Sequence, residues 1–267
     1  MDLKLKDKVV LITGGASGIG RETVKTFAQE GAITVYVDKD QKKGEELREE
    51  LSKQGYKYLF LYGDLTNDDF CKSCIDETIN SFSRLDVLVN NAGGNDWCDI
   101  DESDPKQFRE ALDRNLTLHY AMTHYAWPHL KQSKGNIVFV GSKVAIVGEG
   151  KTTAYAASKG ALNSMTKELA TKSVNENLGI RVNCVIPAIC RTEKFDEHMK
   201  KRYPNIDEAL KFWKDKIPLD SRPTTAQEIA NEIVFLASSR ASHTTAQIRY
   251  VDGGYIDIDR NIPPGYM

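Results

Sequence analysis

The sequence predicts a single α/β domain built on a doubly wound, seven-stranded parallel sheet. Short apolar runs rich in Val and Ile alternate with longer segments of helical periodicity, the arrangement in which helices cover both faces of a parallel sheet. No Pro/Gly/Ser-rich linker, low-complexity block or internal repeat interrupts the series, so one domain over residues 1–267 accounts for it. The 267 residues are 40% hydrophobic and 28% charged, a globular composition with length enough for one large core.

Strand one is the run VVLIT at 9–13, and the helical segment from Ile19 carries Phe27 and Ala28 on its apolar face. Strand two lies at 34–37. The charged segment that follows from Gln41 keeps Leu47 and Leu51 on one face, a solvated helix with a narrow buried stripe. Strand three at 58–62 precedes a helix from about Asn67, in which Phe70, Cys74, Ile75, Thr78 and Ile79 set the period. Strand four at 87–90 leads to helical periodicity from Asp104. Strand five at 137–140 leads to a helix from Thr152, with Ala161, Leu162, Met165, Leu169 and Ala170 marking its buried face. Strand six spans 181–186, the last helix starts near Thr225, and strand seven is 248–251. The one composition shift, within 188–216, is charged and aromatic (Phe195, Tyr203, Phe212, Trp213) and reads as a substrate-side lid or pocket wall.

Charge and cysteine usage narrow the function classes. A net charge of −2 and a pI near 6.2 argue against a nucleic-acid partner, whose phosphates call for a basic excess. No run approaches the ~20 apolar residues of a membrane span, and residues 1–7 lack a signal-peptide core. A cytoplasmic location is expected. The five cysteines (Cys71, Cys74, Cys98, Cys184, Cys190) are odd in number and scattered, unlike a disulfide framework. Cys71 and Cys74 sit in a helical pattern without a second pair, and His119, His124 and His129, spaced by five, turn to different helix faces. Both sets read as structural.

Directly after strand one comes Thr13-Gly14-Gly15-Ala16-Ser17-Gly18-Ile19-Gly20, opening into a helix. Glycines there let the backbone approach a diphosphate, while the helix N-terminus supplies free N–H groups and a positive dipole end. The spacing is Gly-x3-Gly-x-Gly rather than GxGxxG, with Thr23 at the third glycine position. Strand two ends at Asp38, an acidic side chain placed to accept both ribose hydroxyls of NAD and to repel the extra phosphate of NADP. Lys39 follows at once and softens that exclusion, so NAD is expected with NADP possible.

Tyr155 and Lys159 stand at i,i+4 at the start of a helix, where an ammonium on the same face stabilises a phenolate and lowers its pKa from ~10. Ser142 ends strand five, and side chains at the carboxyl ends of strands face the ligand crevice of an open α/β sheet. The three are expected to converge there.

With these motifs assembled, the chain resembles the short-chain dehydrogenase/reductase family over nearly its whole length. The likeness rests on TGGASGIG at 13–20, Asp64-Leu65, Asn90-Asn91-Ala92-Gly93, Asn115, Ser142, YAASK at 155–159, Arg181-Val182-Asn183, Pro187, Thr192 and Val251-Asp252-Gly253-Gly254. It implies a Rossmann-like NAD(P)-dependent enzyme in which Tyr155 is the general acid/base and Ser142 orients the reacting oxygen. Lys159 would bind the nicotinamide ribose and tune Tyr155, and Asn115 would hold a water in the proton relay. The resemblance also places Gly14, Ser17, Gly18, Ile19, Gly20, Leu65, Ala92, Gly93 and Pro187 along the cofactor, Asp64 at adenine, Asn91 beside the ribose, and Ile189 and Thr192 at the nicotinamide amide and phosphates. Two positions depart from the family pattern: Ala188 after Pro187 and Ala246 after Thr245 replace glycines. Alanine disfavours positive φ, so those turns are expected to keep ordinary φ, or the loop beyond Pro187 to be reshaped.

Within the family the greatest likeness is to bacterial L-fucose dehydrogenases, which oxidise an anomeric hydroxyl to a lactone. The shared stretches include Asn95-Asp96, the helix at 119–130, the Val-Ile-Pro-Ala run at 185–188 and the Ala-Ser-His-Thr-Thr run at 241–245. Polar residues at the strand ends suit a polyol, because a buried hydroxyl left unmatched costs about 1–3 kcal/mol. Asn95, Asp96 and Glu149 are expected to bind ring hydroxyls while Trp97 packs on an apolar edge, by a mechanism that needs no metal. Alternatives are an NADH-dependent reductase of a keto sugar, uronate or 3-oxoacyl substrate, and a catalytically silent nucleotide-binding scaffold on the same fold. The resemblance further implies a homotetramer, with the tail 255–267 reaching towards a neighbour.

Overall fold

The computed structural model describes residues 1–202, 205, 208, 210–211, 214 and 216–258. In chain order the elements are β1 (Val9–Thr13), α1 (Gly18–Gln29), β2 (Ile33–Asp38), α2 (Gln41–Lys53), β3 (Tyr58–Tyr62), α3 (Asp68–Phe82) and β4 (Val87–Asn90). There follow α4 (Pro105–Leu112), a π-helical turn (Asp113–Thr117), α5 (Leu118–Ser133), β5 (Asn136–Val140), α6 (Thr153–Asn175) and β6 (Arg181–Pro187). The last are β7 (Cys190–Arg191), α7 (Glu193–Arg202), β8 (Thr224–Thr225), α8 (Ala226–Ala237) and β9 (Ile248–Val251). The predicted windows at 34–37, 137–140 and 181–186 lengthen by one or two residues. Tyr203, Phe212 and Trp213 of the composition shift, and the tail 259–267, lie outside the described residues.

Seven parallel strands pair in the order β3-β2-β1-β4-β5-β6-β9. The chain winds outward from β1 to β3 and then crosses back to β4, so the order reverses between β1 and β4, and a crevice opens above their carboxyl ends. Successive residues of one strand serve opposite faces. Leu11 and Val35 pack with Cys71, Ile75, Met122, Leu130 and Leu162 from α3, α5 and α6. Val10, Ile12 and Tyr36 pack with Val24, Phe27, Leu47, Ile229 and Ile233 from α1, α2 and α8. Phe27 and Leu47 are wholly buried, each contributing about 1.5–3 kcal/mol. Burial pushes the Cys71 and Cys74 thiols up to about 12, which keeps them inert packing groups.

Three features escape the sequence pattern. The helical segment from Asp104 starts with a capping box between Asp104 and Gln107 and Pro105 in its first turn, but a π-helical turn then separates α4 from α5 and turns Asn115 into the interior. Within 188–225 the chain forms the two-stranded β7·β8 piece and α7. Ala246 takes a left-handed φ of +59°, contrary to the expectation of ordinary φ; its N–H donates to the Val182 carbonyl at 2.8 Å, and that bond holds the turn in place. Ala188 is not among the residues of positive φ.

Candidate active site

The turn after β1 is shaped from both sides of the crevice. Gly18, in the left-handed region at φ +53°, begins α1, and Ser17 makes no side-chain cap. No acidic residue lies in the first turn, so the N–H groups and positive end of α1 face the cavity. From β4, Asn91 Nδ2 donates to the Thr13 and Gly14 carbonyls at 2.9 and 3.1 Å. The side chain expected beside the ribose therefore fixes the glycine turn. Gly20 does not line the cavity: a Cβ there would lie 2.0 Å from the Gly14 carbonyl oxygen, so its role is close packing of helix against turn.

Asp38, at the end of β2, accepts from Ala16 N–H at 2.9 Å and Asp40 N–H at 3.0 Å. Its carboxylate braces the turn and stands at the cavity wall. Lys39 is 3.9 Å from Asp64, with both side chains more than half exposed, a weak pair that still draws the ammonium towards Asp64. Asp64 also accepts from Thr66, whose backbone N–H, opposed in part by burial, holds the carboxyl below its usual range. This cradle fits a dinucleotide: an open helix N-terminus over the glycine turn for the diphosphate and a carboxylate at the second strand for a ribose diol.

Ser142, Tyr155 and Lys159 do converge. Ser142 starts the short helical turn Lys143–Ala145 after β5, and α6 places Tyr155 and Lys159 one turn apart on the same cavity. Lys159 Nζ lies 5.6 Å from the centre of the Tyr155 ring and donates to the Val140 carbonyl at 2.9 Å. Burial pushes the Tyr155 phenol up to about 12; a hydrogen bond with Ser142 pulls it down, and the charges of Glu149 and Asp96 push it up. The net shift is upward, against the lowering expected from Lys159, because burial dominates. The ammonium is tied to a backbone carbonyl, and burial has brought its own pKa down to about 8.

Asn115 is buried and does not line the cavity. Its Nδ2 donates to the Ala111 carbonyl at 3.0 Å and its Oδ1 accepts from Gly94 N–H at 2.8 Å, so the side chain braces the loop after β4. Leu65, Ala92, Gly93, Pro187, Ile189 and Thr192 line the cavity, and so do Asn95, Asp96, Trp97 and Glu149. Asn95 Oδ1 accepts from Trp97 N–H at 3.0 Å, holding Trp97 at φ +57°. Asp96 pairs with Arg114 at 2.8 Å and Glu149 with Lys143 at 2.9 Å. Arg114 is a wall residue that sequence reasoning missed, while Phe195 and Met199 belong to the segment 188–216 read as a lid or pocket wall. Pairing a lone acid at 96 with a base at 114 requires the fold, as does the placement of α7. The whole cavity encloses about 670 Å³.

The family profile described as enoyl-(acyl carrier protein) reductase matches residues 14–256. The chain is 34% identical to L-fucose dehydrogenase of Bos taurus, over 97% of this chain and 94% of that protein. The crystal structure of Cj0485 dehydrogenase superimposes with a TM-score of 0.92 at 36% identity, covering 98% of this chain and 99% of that one. The ligand-free aldohexose dehydrogenase of Thermoplasma acidophilum does so with a TM-score of 0.87 at 30% identity, over 97% and 98%.

Proposed function

Because the chain belongs to the short-chain dehydrogenase/reductase family, we propose that it oxidises the anomeric hydroxyl of L-fucose or a related aldose to the lactone with NAD. The observation that carries the chemistry is Ser142 in hydrogen-bonding reach of the Tyr155 phenol, with Lys159 beside the same ring on one cavity wall. The polar wall formed by Asn95, Asp96, Arg114, Lys143 and Glu149 supports a hydroxylated substrate, as does the likeness to an L-fucose and an aldohexose dehydrogenase. Asp38 supports NAD over NADP, since a carboxylate accepts from a ribose diol and repels a phosphate.

When bound, the nicotinamide supplies the acceptor for hydride from the carbinol carbon. Ser142 holds the substrate oxygen. Tyr155 takes the hydroxyl proton through its phenolate oxygen. Lys159, with a pKa brought to about 8, passes a proton near neutral pH more readily than an ordinary lysine. The side chain of Asn115 braces the Gly94 loop, and a water of the proton relay would be held beside it. Reduction of a keto sugar, uronate or 3-oxoacyl group is the second reading, favoured by one observation: a phenol pushed up to about 12 is protonated at neutral pH and suited to donate.

The test is turnover of purified protein with NAD or NADP against L-fucose, D-arabinose, L-galactose and other aldoses, beside NADH-driven reduction of keto and acyl substrates. L-Fucose with NAD is expected to give the highest kcat/KM; failure on every aldose removes the sugar reading. Tyr155→Phe is expected to retain NADH binding by fluorescence while losing roughly 10²- to 10⁴-fold in kcat.

A further inference from the structure

Lys143 follows Ser142 at the carboxyl end of β5 and is only 5% exposed, a burial that lysine almost never shows unless paired. Its Nζ lies 2.9 Å from Glu149 Oε1 and 5.3 Å from the centre of the Tyr255 ring. Both members of the pair line the catalytic cavity. A buried ion pair is a poor device for stability, because removing two charges from water offsets their attraction, and apolar residues of similar volume often do as well. Its place in the cavity wall, beside the serine that orients the reacting oxygen, points to recognition instead.

A second pair lines the same cavity. Arg114 bonds Asp96 through Oδ2 at 2.8 Å, and Asp96 Oδ1 is buried with no hydrogen-bond partner among the described residues. Each pair is neutral as a unit, so this wall offers fixed donors and acceptors without net charge. A lipophilic alcohol leaves them unmatched, at the cost of a desolvated polar group. A sugar acid brings a net charge that the two neutral pairs leave unbalanced. An uncharged polyol matches both, since each hydroxyl donates and accepts.

We propose that Lys143 is the specificity-determining residue of this site: held by Glu149, its ammonium donates to the oxygen on the carbon next to the one oxidised. Ser142 and Lys143 are consecutive and both line the cavity, so the two can address neighbouring oxygens of one substrate. The accepted substrates are uncharged alcohols with a vicinal oxygen, which an anomeric centre supplies at its second carbon. This rests on the sugar reading only in its choice of sugar.

The experiment compares the wild type with Lys143→Met on two substrate pairs: L-fucose against 2-deoxy-L-fucose, and trans-cyclohexane-1,2-diol against cyclohexanol. Lys143→Met is expected to lose roughly 10- to 100-fold in kcat/KM on the vicinal-oxygen member of each pair, through KM rather than kcat. The other member changes little, so the preference collapses, and Lys143→Arg restores part of it. Melting temperature and NADH binding report an intact fold. If Lys143→Met does not fold, the Lys143→Met/Glu149→Leu double variant, which removes both charges, makes the same comparison. Equal loss on both members, or an unchanged preference, overturns the proposal while leaving the sugar reading standing. Turnover of the diol but neither sugar, with the preference lost in Lys143→Met, overturns the sugar reading and upholds Lys143. No turnover of any of the four overturns both.

Discussion

At the scale of single residues, the site is built from side chains held away from their ordinary ionisation. Lys159 is nearly solvent-free and keeps one hydrogen bond to Val140; burial lowers its pKa from 10.5 to about 8. The unfolded chain therefore holds that proton to higher pH than the folded chain. Stability contributed by this group rises between about pH 8 and 10.5, and the full penalty is felt below pH 8. Lys159→Met is expected to stabilise the protein at pH 7 by about 1–2 kcal/mol, the relief of desolvation less the lost hydrogen bond. Turnover disappears in the same variant. Urea unfolding at pH 7 and pH 10 checks it, since the gain shrinks at the higher pH. A variant less stable than wild type at pH 7 contradicts the argument.

Tyr155 sets the second residue-scale expectation. With its phenol pushed up to about 12 by burial and by the charges of Glu149 and Asp96, the basic form grows about tenfold per pH unit below that value. Oxidative kcat/KM is expected to climb from pH 7 towards pH 10, while the reductive rate, which uses the phenol that stays protonated below about 12, is expected to hold level. An oxidative profile flat over that range removes Tyr155 as the titrating base. The Tyr-Lys spacing and the serine at a strand end were legible in the sequence because one helical turn and one strand terminus fix them. The sign of the shift was not, because it is set first by burial and then by the charges of Glu149 and Asp96, which only the folded chain brings about.

At the scale of elements, strands and helices follow local patterning closely, while the turns between them record tertiary demands. The π-helical turn at Asp113–Thr117 buries Asn115 against Gly94, and no period in the sequence announces it. Ala246 is a similar case. Its φ of +59° is held by the N–H bond to Val182 and by packing beside β6, at a backbone cost that glycine would avoid. Ala246→Gly is expected to raise stability by about 0.5–1 kcal/mol, measured by thermal melting, with kcat unchanged. A destabilised Ala246→Gly protein would mean that the methyl packs better than the backbone is strained.

At the scale of the whole molecule, two faces of the sheet are covered by helices, yet the covering helices keep apolar surface of their own. Tyr120 of α5 and Val174 of α6 are exposed at 61% and 63%, and Tyr250 of β9 at 38%. These lie on the helices that follow the fourth and fifth strands and on the last strand, through which family resemblance implies self-association, and among the described residues no helix is long and apolar enough to cross a membrane. We expect a homotetramer, about 120 kDa from four chains of 29.9 kDa. Light scattering checks the mass, and Tyr120→Asp together with Val174→Asp is expected to reduce it. A monomeric wild type at micromolar concentration rules the assembly out.

By itself the sequence determined the alternating α/β architecture, the phosphate-type turn at 13–20, the acid at the end of the second strand and the Ser142–Tyr155–Lys159 set. Each is fixed by residues close in the chain, through strand alternation, helical spacing or glycine content. The tertiary structure alone decided that Asn91 and Asp38 brace the glycine turn, that Asn115 stands behind the loop, and that Lys143 meets Glu149 as Arg114 meets Asp96. Most of those partners come from different elements, and local periodicity carries no information about which buried charges will face each other once the strand order reverses between β1 and β4.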